Sequence, residues 1–170
     1  FFSFHSVISW ILFSLIVIYA VNISSPPTTY KLKKNLLTPF LIFSLVFIMT
    51  SVIMLYKWGQ AESKMGTAIT VNNYNPGNLE TISLTEQAIQ LHPWEANFHK
   101  NLSWFYFQNA ANNATLSGLS ADTVSNGIYE GKKAMNLQPY LGRFPAKLGD
   151  GLLLVANYNQ TLYTLAENYY

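Results

Sequence analysis

Two long apolar runs at the start of the chain limit what it can fold into. Residues from about 1 to 23 and from about 36 to 56 are almost wholly apolar, and His5 is the only ionisable side chain of the first run. Each run has the length, about 20 residues, that a helix needs to cross a hydrocarbon layer of about 30 Å. A helix buried in a soluble protein is rarely this long without a polar face. The sequence therefore predicts two transmembrane helices.

The segment between the runs, residues 24–35, predicts a cytoplasmic loop that joins the two helices as a hairpin. Two adjacent prolines end the first helix, and three lysines precede the second. Short loops rich in Lys and Arg remain on the cytoplasmic side of a membrane. We therefore expect residues 1–57 to lie in the lipid bilayer of the cell membrane. Everything after Lys57 is expected on the extracytoplasmic side.

Charged residues separate this membrane part from a polar part. They make up 11% of the sequence, and no acidic residue precedes Glu62; typical soluble domains have about 25% charged residues. The polar part has no basic stripe with interleaved aromatics, which argues against a nucleic-acid partner. Without cysteine the chain has no thiolate metal site. We predict a stalk and linker over residues 58–76 and a helical domain over residues 77–170, with no cofactor.

A repeat with an offset of 46 residues organises the helical domain. Six residues recur at this offset: Ala88, Leu91, Pro93, Trp94, Phe98 and Leu102 become Ala134, Leu137, Pro139, Tyr140, Phe144 and Leu148. The alanines allow a neighbouring helix to approach, the leucines are expected to be buried, and each proline ends one helix and starts the next. The Phe and Leu that follow begin an apolar helical stripe. The pattern predicts stacked helix–turn–helix units that pack through ten of these residues, all except Trp94 and Tyr140.

These units resemble tetratricopeptide repeats, which end a helix with Ala-x-x-Leu-x-Pro. The offset exceeds the usual period of about 34 residues, and residues 109–120 are expected to supply the excess as an inserted loop. Ser120 or Asp122 is a candidate cap for the helix that follows this loop. The fold class is therefore predicted to be all-α. After the stalk, helices are expected over residues 78–91, 94–111, 121–137, 141–156 and 159–169.

Both halves together resemble the C-terminal part of bacterial O-antigen ligase family membrane proteins with tetratricopeptide repeats. The resemblance lies in residues 77–80, 86–94, 130–140 and 148–154 and in the pair His5-Ser6. It implies a glycan transferase whose catalytic region lies upstream, so that this chain is a piece of a longer protein and holds no catalytic residue. It also implies that the repeats bind a protein partner or a lipid-linked acceptor glycan.

Individual polar residues give weaker indications. His5 is either functional or a neutral residue near the membrane interface. His92 and His99 do not have the spacing of metal ligands on one helix, so we expect both to face solvent. The eight acidic residues are too dispersed to predict a catalytic carboxylate pair. Among four glycosylation sequons, Asn113 in the predicted inserted loop is the best acceptor.

The dense aromatic residues of the helical domain allow two interpretations. They either form the core and the contacts between repeats, or they line a concave face that binds a protein or a glycan. The last helix ends in Tyr169-Tyr170 without a polar capping helix, which predicts contact with further repeats, a partner or another copy. The alternative function is thus a stand-alone membrane-anchored scaffold or a self-assembling subunit. A pilin-like subunit is a variant, although His5 stands where pilins have Glu.

Overall fold

The computed structural model describes residues 34–114 and 119–170, and all regular secondary structure in these ranges is helical. The predicted all-α fold is confirmed for this part of the chain. The first predicted membrane helix, His5 and residues 24–33 of the predicted loop lie outside the described residues. After the stalk, the predicted helix ends agree with the structure to within two residues. The helices are α1 (Lys34–Tyr74), α2 (Leu79–Leu91), α3 (Ala96–Asn112), α4 (Ala121–Leu137), α5 (Arg143–Ala156) and α6 (Thr161–Glu167).

The chain forms two compact units, Phe1–Tyr56 and Lys57–Tyr170. Helix α1 contains the second predicted membrane run and is, among the described residues, the one helix long and apolar enough to cross a membrane. Its large apolar side chains from Ile42 to Met54 are exposed. The hydroxyl groups of Thr50 and Ser51 donate hydrogen bonds to carbonyl oxygens of the preceding turn. Thr67 and Thr70, further along α1, make the same kind of hydrogen bond.

The second unit begins with residues 57–74 of α1, which pack as part of its core. Ala61, Met65 and Ala68 are 0–3% exposed and lie on one face of α1. They pack in one cluster with Ile82, Ala88, Phe98, Leu102 and Phe105 of α2 and α3. The predicted stalk is therefore an integral helix of the folded unit, because its buried face belongs to the same core cluster as the next two helices.

A tight turn connects α1 to α2. Gly77 has a φ of +70°, the left-handed conformation that glycine adopts without strain. The Asn72 side chain accepts a hydrogen bond of 2.9 Å from the Gly77 backbone N–H. A Cβ atom on Gly77 would overlap the backbone of Asn109 in α3. Asn78 then caps α2 by accepting a hydrogen bond from the backbone of Glu80.

Helix α3 lies at the centre of the unit and packs against α2, α4 and α5. The fully buried side chain of Phe107 fits where α4 and α5 have glycines. A Cβ atom on Gly127 would lie 3.1 Å from the Phe107 ring, and one on Gly151 would overlap it. A Cβ atom on Gly131 would lie 2.8 Å from Leu148. All three glycines allow helices to pack closely.

The predicted inserted loop is shorter than expected because α3 continues to Asn112. The side chains of Asn109 and Asn112 donate hydrogen bonds of 2.6 Å to the carbonyls of Gly77 and Pro76, which supports the last turn of α3. Residues 115–118 of the loop lie outside the described residues. Ser120 caps α4 by accepting a hydrogen bond from Thr123. Asp122 is not the cap but lies in the first turn of α4.

Candidate functional site

The turns between α2 and α3 and between α4 and α5 have the same backbone geometry at the offset of 46 residues. His92 and Gln138, which end the first helix of each pair, have φ/ψ angles of −142°/76° and −140°/72°. Each donates its backbone N–H to an alanine carbonyl four residues earlier, at 3.0 Å for Ala88 and 3.1 Å for Ala134. We call these turns the first and second corners. The sequence repeat therefore corresponds to a structural repeat at the corners.

The ten predicted packing residues differ in burial. Ala88, Phe98, Leu102, Ala134, Phe144 and Leu148 are 0–3% exposed. Leu91 and Leu137, which were expected to be buried, are half-buried and pack against the edges of the core. Pro93 and Pro139 are exposed at the corners. Six of the ten predicted packing residues are thus core residues, and the other four lie at the periphery of the unit.

The aromatic residue that follows each corner proline is exposed to solvent. Trp94 is 76% exposed and Tyr140 is 98% exposed. The core interpretation of the aromatics is therefore wrong for these two residues, whereas Phe98, Phe105 and Phe107 are buried. Trp94 and Tyr140 are thus equivalent in sequence and both exposed.

Two cationic side chains, Lys100 and Arg143, meet at Asn97, three residues after Trp94. The Asn97 side-chain oxygen accepts hydrogen bonds from Lys100 at 3.4 Å and from Arg143 at 3.3 Å. The guanidinium carbon of Arg143 lies 5.3 Å from the centre of the Phe144 ring. Burial, and then the charges of Arg143 and Lys147, lower the pKa of Lys100. We call the surface formed by Trp94, Asn97, Lys100, Tyr140 and Arg143 the corner face.

A shallow groove of about 240 Å³ lies between α1 and the start of α3. Its lining combines carboxylates and amides with apolar side chains: Glu62, Met65, Ile69, Glu95, Asn97, Phe98 and Asn101. Carboxylates accept hydrogen bonds, and amides both donate and accept them. Such a set can bind hydroxyl-rich groups.

His99 is fully buried, so the prediction that it faces solvent is wrong. Its Nδ1 lies 2.5 Å from a carboxylate oxygen of Glu130, and its Nε2 lies 3.0 Å from the Pro93 carbonyl oxygen. Each ring nitrogen thus lies at hydrogen-bond distance from an oxygen atom. This pair connects α3, α4 and the first corner. His92, also predicted to face solvent, is half-buried and makes an edge contact with Phe98.

The other candidate residues stay separate. Within residues 34–114 and 119–170, no three His, Cys, Asp or Glu residues come close enough to hold a metal ion. Asn113 is exposed at the end of α3 and donates a hydrogen bond to the Asn109 carbonyl, while Thr115 of its sequon lies outside the described residues. The sequon at Asn101 is blocked, because the hydroxyl of Ser103 is buried against the Gly127 carbonyl at 2.6 Å.

Comparison with known proteins gives no relative for this chain. No family model matches the sequence, and neither a curated protein nor a solved structure is significantly similar to it.

Proposed function

We propose that this chain is a non-catalytic, membrane-anchored and extracytoplasmic helical domain. We further propose that it is the repeat portion of an O-antigen ligase-like glycan transferase. The observation that carries the anchoring is the exposed apolar stretch of α1 before Lys57, in a helix that continues into the core of the folded unit. The corner geometry repeated at an offset of 46 residues supports the resemblance to tetratricopeptide repeats.

The groove beside α1 supports a role in holding an acceptor glycan. Two carboxylates and two amides border it, and the apolar atoms of Met65 and Phe98 lie between them. Glycan hydroxyls pair with such acceptors and donors, while the apolar faces of sugar rings lie on apolar side chains. The transfer chemistry itself belongs to the rest of the proposed transferase.

Substitutions at the rim of the groove test this role in the cells that make the protein. Glu62→Ala and Asn101→Ala remove polar groups from the groove, and Glu80→Ala, an exposed residue at the start of α2, is the matched control. At equal protein levels, the two groove variants are expected to reduce the transfer of glycan to its acceptor and the control is not. Unchanged transfer in the groove variants, or transfer by residues 1–170 alone, would contradict the proposal.

A second candidate function is self-assembly through the C-terminal end of the unit. Large side chains of α5 and α6 and the segments beside them are 37–70% exposed, namely Leu153, Leu154, Tyr158, Tyr163 and Tyr170. An exposed apolar end of a helical array favours contact with another copy. Light scattering of the full chain in detergent tests this. A multimer that Leu154→Ser and Tyr163→Ser dissociate supports assembly, and a monomer excludes it.

A further inference from the structure

We propose that the corner face lies on the membrane surface, with Trp94 and Tyr140 in the headgroup layer and Lys100 and Arg143 on lipid phosphates. The domain would then contact the bilayer at a second place besides its anchor. This inference rests on the proposed anchoring of the chain through α1. It does not depend on the resemblance to glycan transferases.

The first corner lies at the end of the folded unit where the chain enters it. Helices α1 and α2 are antiparallel, and Lys64 of α1 donates a hydrogen bond of 2.7 Å to the side chain of Gln87 in α2. Lys57 lies seven residues before Lys64, and Trp94 lies seven residues after Gln87, so both lie beyond this hydrogen bond in the same direction. Glu62 of α1 and Glu95 at the start of α3 line the same groove, which agrees with this alignment of the helices. Trp94 and Lys57 therefore belong to the same end of the unit.

The second corner lies beside the first. The guanidinium of Arg143, at the start of α5, reaches Asn97 at the start of α3. Ala96, Ala134 and Phe144 also form one buried cluster beneath both corners. Trp94 and Tyr140 are consequently presented by the same end of the unit.

The basic residues of the unit are concentrated at this end. Residues 57–170 contain seven Lys and Arg, all on helix segments that start or finish near the corners: Lys57, Lys64, Lys100, Lys132, Lys133, Arg143 and Lys147. The opposite end, residues 72–80, 109–114 and 119–127, has amide side chains and two acidic residues but no Lys or Arg. Basic residues near a bilayer are attracted to anionic lipids. The segments that contain these cations, residues 57–64, 86–100 and 130–150, also contain five acidic residues, so their formal charge is +2, against −2 for the opposite end. This difference favours the corner end as the one that meets an anionic membrane.

The distances also suit the headgroup layer. That layer is about 5–7 Å deep on each side of a hydrocarbon core of about 30 Å. Along α1, Glu62 lies about 7.5 Å beyond Lys57, from a rise of about 1.5 Å per residue. Trp and Tyr are the residues that favour this interface, because their rings are apolar and their N–H or O–H groups are polar. Their exposure at the corners is explained by a bilayer that covers them.

Spin labels on the full chain test the proposal, since the chain has no cysteine. Asn136→Cys and Asn126→Cys place the label at two exposed positions of α4, one beside the second corner and one at the opposite end. A label at Val46→Cys reports whether α1 lies within the bilayer. In vesicles of equal parts phosphatidylcholine and phosphatidylglycerol, oxygen and a water-soluble nickel complex compete to relax each label. The label at 136 is expected to be shielded from nickel, and the label at 126 is not.

The three labels separate the possible failures. If the label at 46 is deep in the bilayer but those at 136 and 126 are equally open to nickel, the docking of the corner face is overturned and the anchor stands. If the label at 46 is also open to nickel, the anchoring fails and the docking with it.

Surface variants then identify the groups that dock. Trp94→Ser and Tyr140→Ser are expected to open the label at 136 to nickel, whereas Tyr74→Ser, an 86% exposed residue at the opposite end, is not. Arg143→Gln is expected to weaken docking about fivefold on the anionic vesicles. Equal shielding in all four variants would overturn the assignment to these residues.

Discussion

The two helix pairs of the folded unit, α2–α3 and α4–α5, have the same corner geometry, but the side chains packed between their helices differ. At the offset of 46 residues, Thr85 and Phe105 of the first pair correspond to Gly131 and Gly151 of the second. The first pair packs its large side chains against small residues of α1. The second pair has glycines in contact with α3, where Phe107 fills the space. Corner geometry therefore follows from the repeated Ala, Leu and Pro, whereas each interior follows from the helix that the pair packs against.

The largest expected effect comes from Phe107 of α3, whose side chain fills the space beside the glycines of the second pair. Phe107→Ala is expected to lower the free energy of unfolding by about 3–5 kcal/mol, because it leaves a cavity beside Gly127 and Gly151. The equivalent residue of the second pair, Leu153, is 38% exposed, so Leu153→Ala is expected to cost less than about 1 kcal/mol. Denaturant unfolding of the full chain in detergent measures both. Similar losses in the two variants would contradict the proposed difference.

A smaller effect is expected where a side chain is added to the interface. Gly151→Ala places a methyl group in the Phe107 ring and is expected to cost about 1–3 kcal/mol. Gly66→Ala is the matched control, since no atom lies within 4 Å of a Cβ there, and in a helix it is expected to gain about 0.5–1 kcal/mol. The same unfolding experiment compares them. A Gly151→Ala variant as stable as the parent would show that α3 and α5 are not in close contact.

The His99–Glu130 pair has no counterpart in the second pair, where Pro145 occupies the equivalent position. His99→Ala leaves the half-buried Glu130 carboxylate without its partner and removes a fully buried ring, and it is expected to cost about 1–3 kcal/mol. Glu130→Gln, which keeps a hydrogen-bonding side chain, is expected to cost less. Unfolding free energies of both variants check this order. A larger loss for Glu130→Gln would indicate that the charge of Glu130, rather than the hydrogen bonds of His99, stabilises the unit.

The smallest effect is a pH dependence that Tyr106 of the first pair contributes. The Tyr106 hydroxyl donates a hydrogen bond of 2.7 Å to Glu86. Burial, and then this bond, raise the pKa of Tyr106 above the ordinary value of about 10. As the pH rises through about 10, the unfolded chain loses this proton first, so the unfolding free energy falls. Tyr106→Phe is expected to lessen this fall between about pH 9 and pH 11, and an unchanged slope would contradict it.

Much of this fold follows from local sequence. The corner prolines, the recurring alanines and the apolar stripes predict where each helix of the unit begins and ends to within two residues. Each of these signals involves residues only a few positions apart, so it can be recognised in a single sequence. The glycines of α4 and α5 indicate close packing for the same reason.

Contacts between segments that are distant in the sequence are harder to predict from the sequence alone. His99 shares its helix with the stripe of Phe98 and Leu102, and nothing in its spacing predicts Glu130 as its partner, 31 residues away. Residues 57–74 read as a stalk because their buried residues are mostly small, and the helices that cover them come later in the chain. The exposure of Trp94 was missed because an aromatic beside an apolar helix is usually core. Its equivalence to Tyr140 identifies the corner face only once the corners are adjacent.

One labelling experiment tests the central claim, that α1 anchors an extracytoplasmic helical domain in the membrane. Single cysteines at Val46→Cys and Asn126→Cys are treated with a membrane-impermeant maleimide on intact cells, and then again in detergent. Position 126 is expected to react on intact cells, whereas position 46 is expected to react only after detergent. Equal reaction of both positions on intact cells would contradict the anchor. Reaction of position 126 only after the membrane is opened would contradict the extracytoplasmic location.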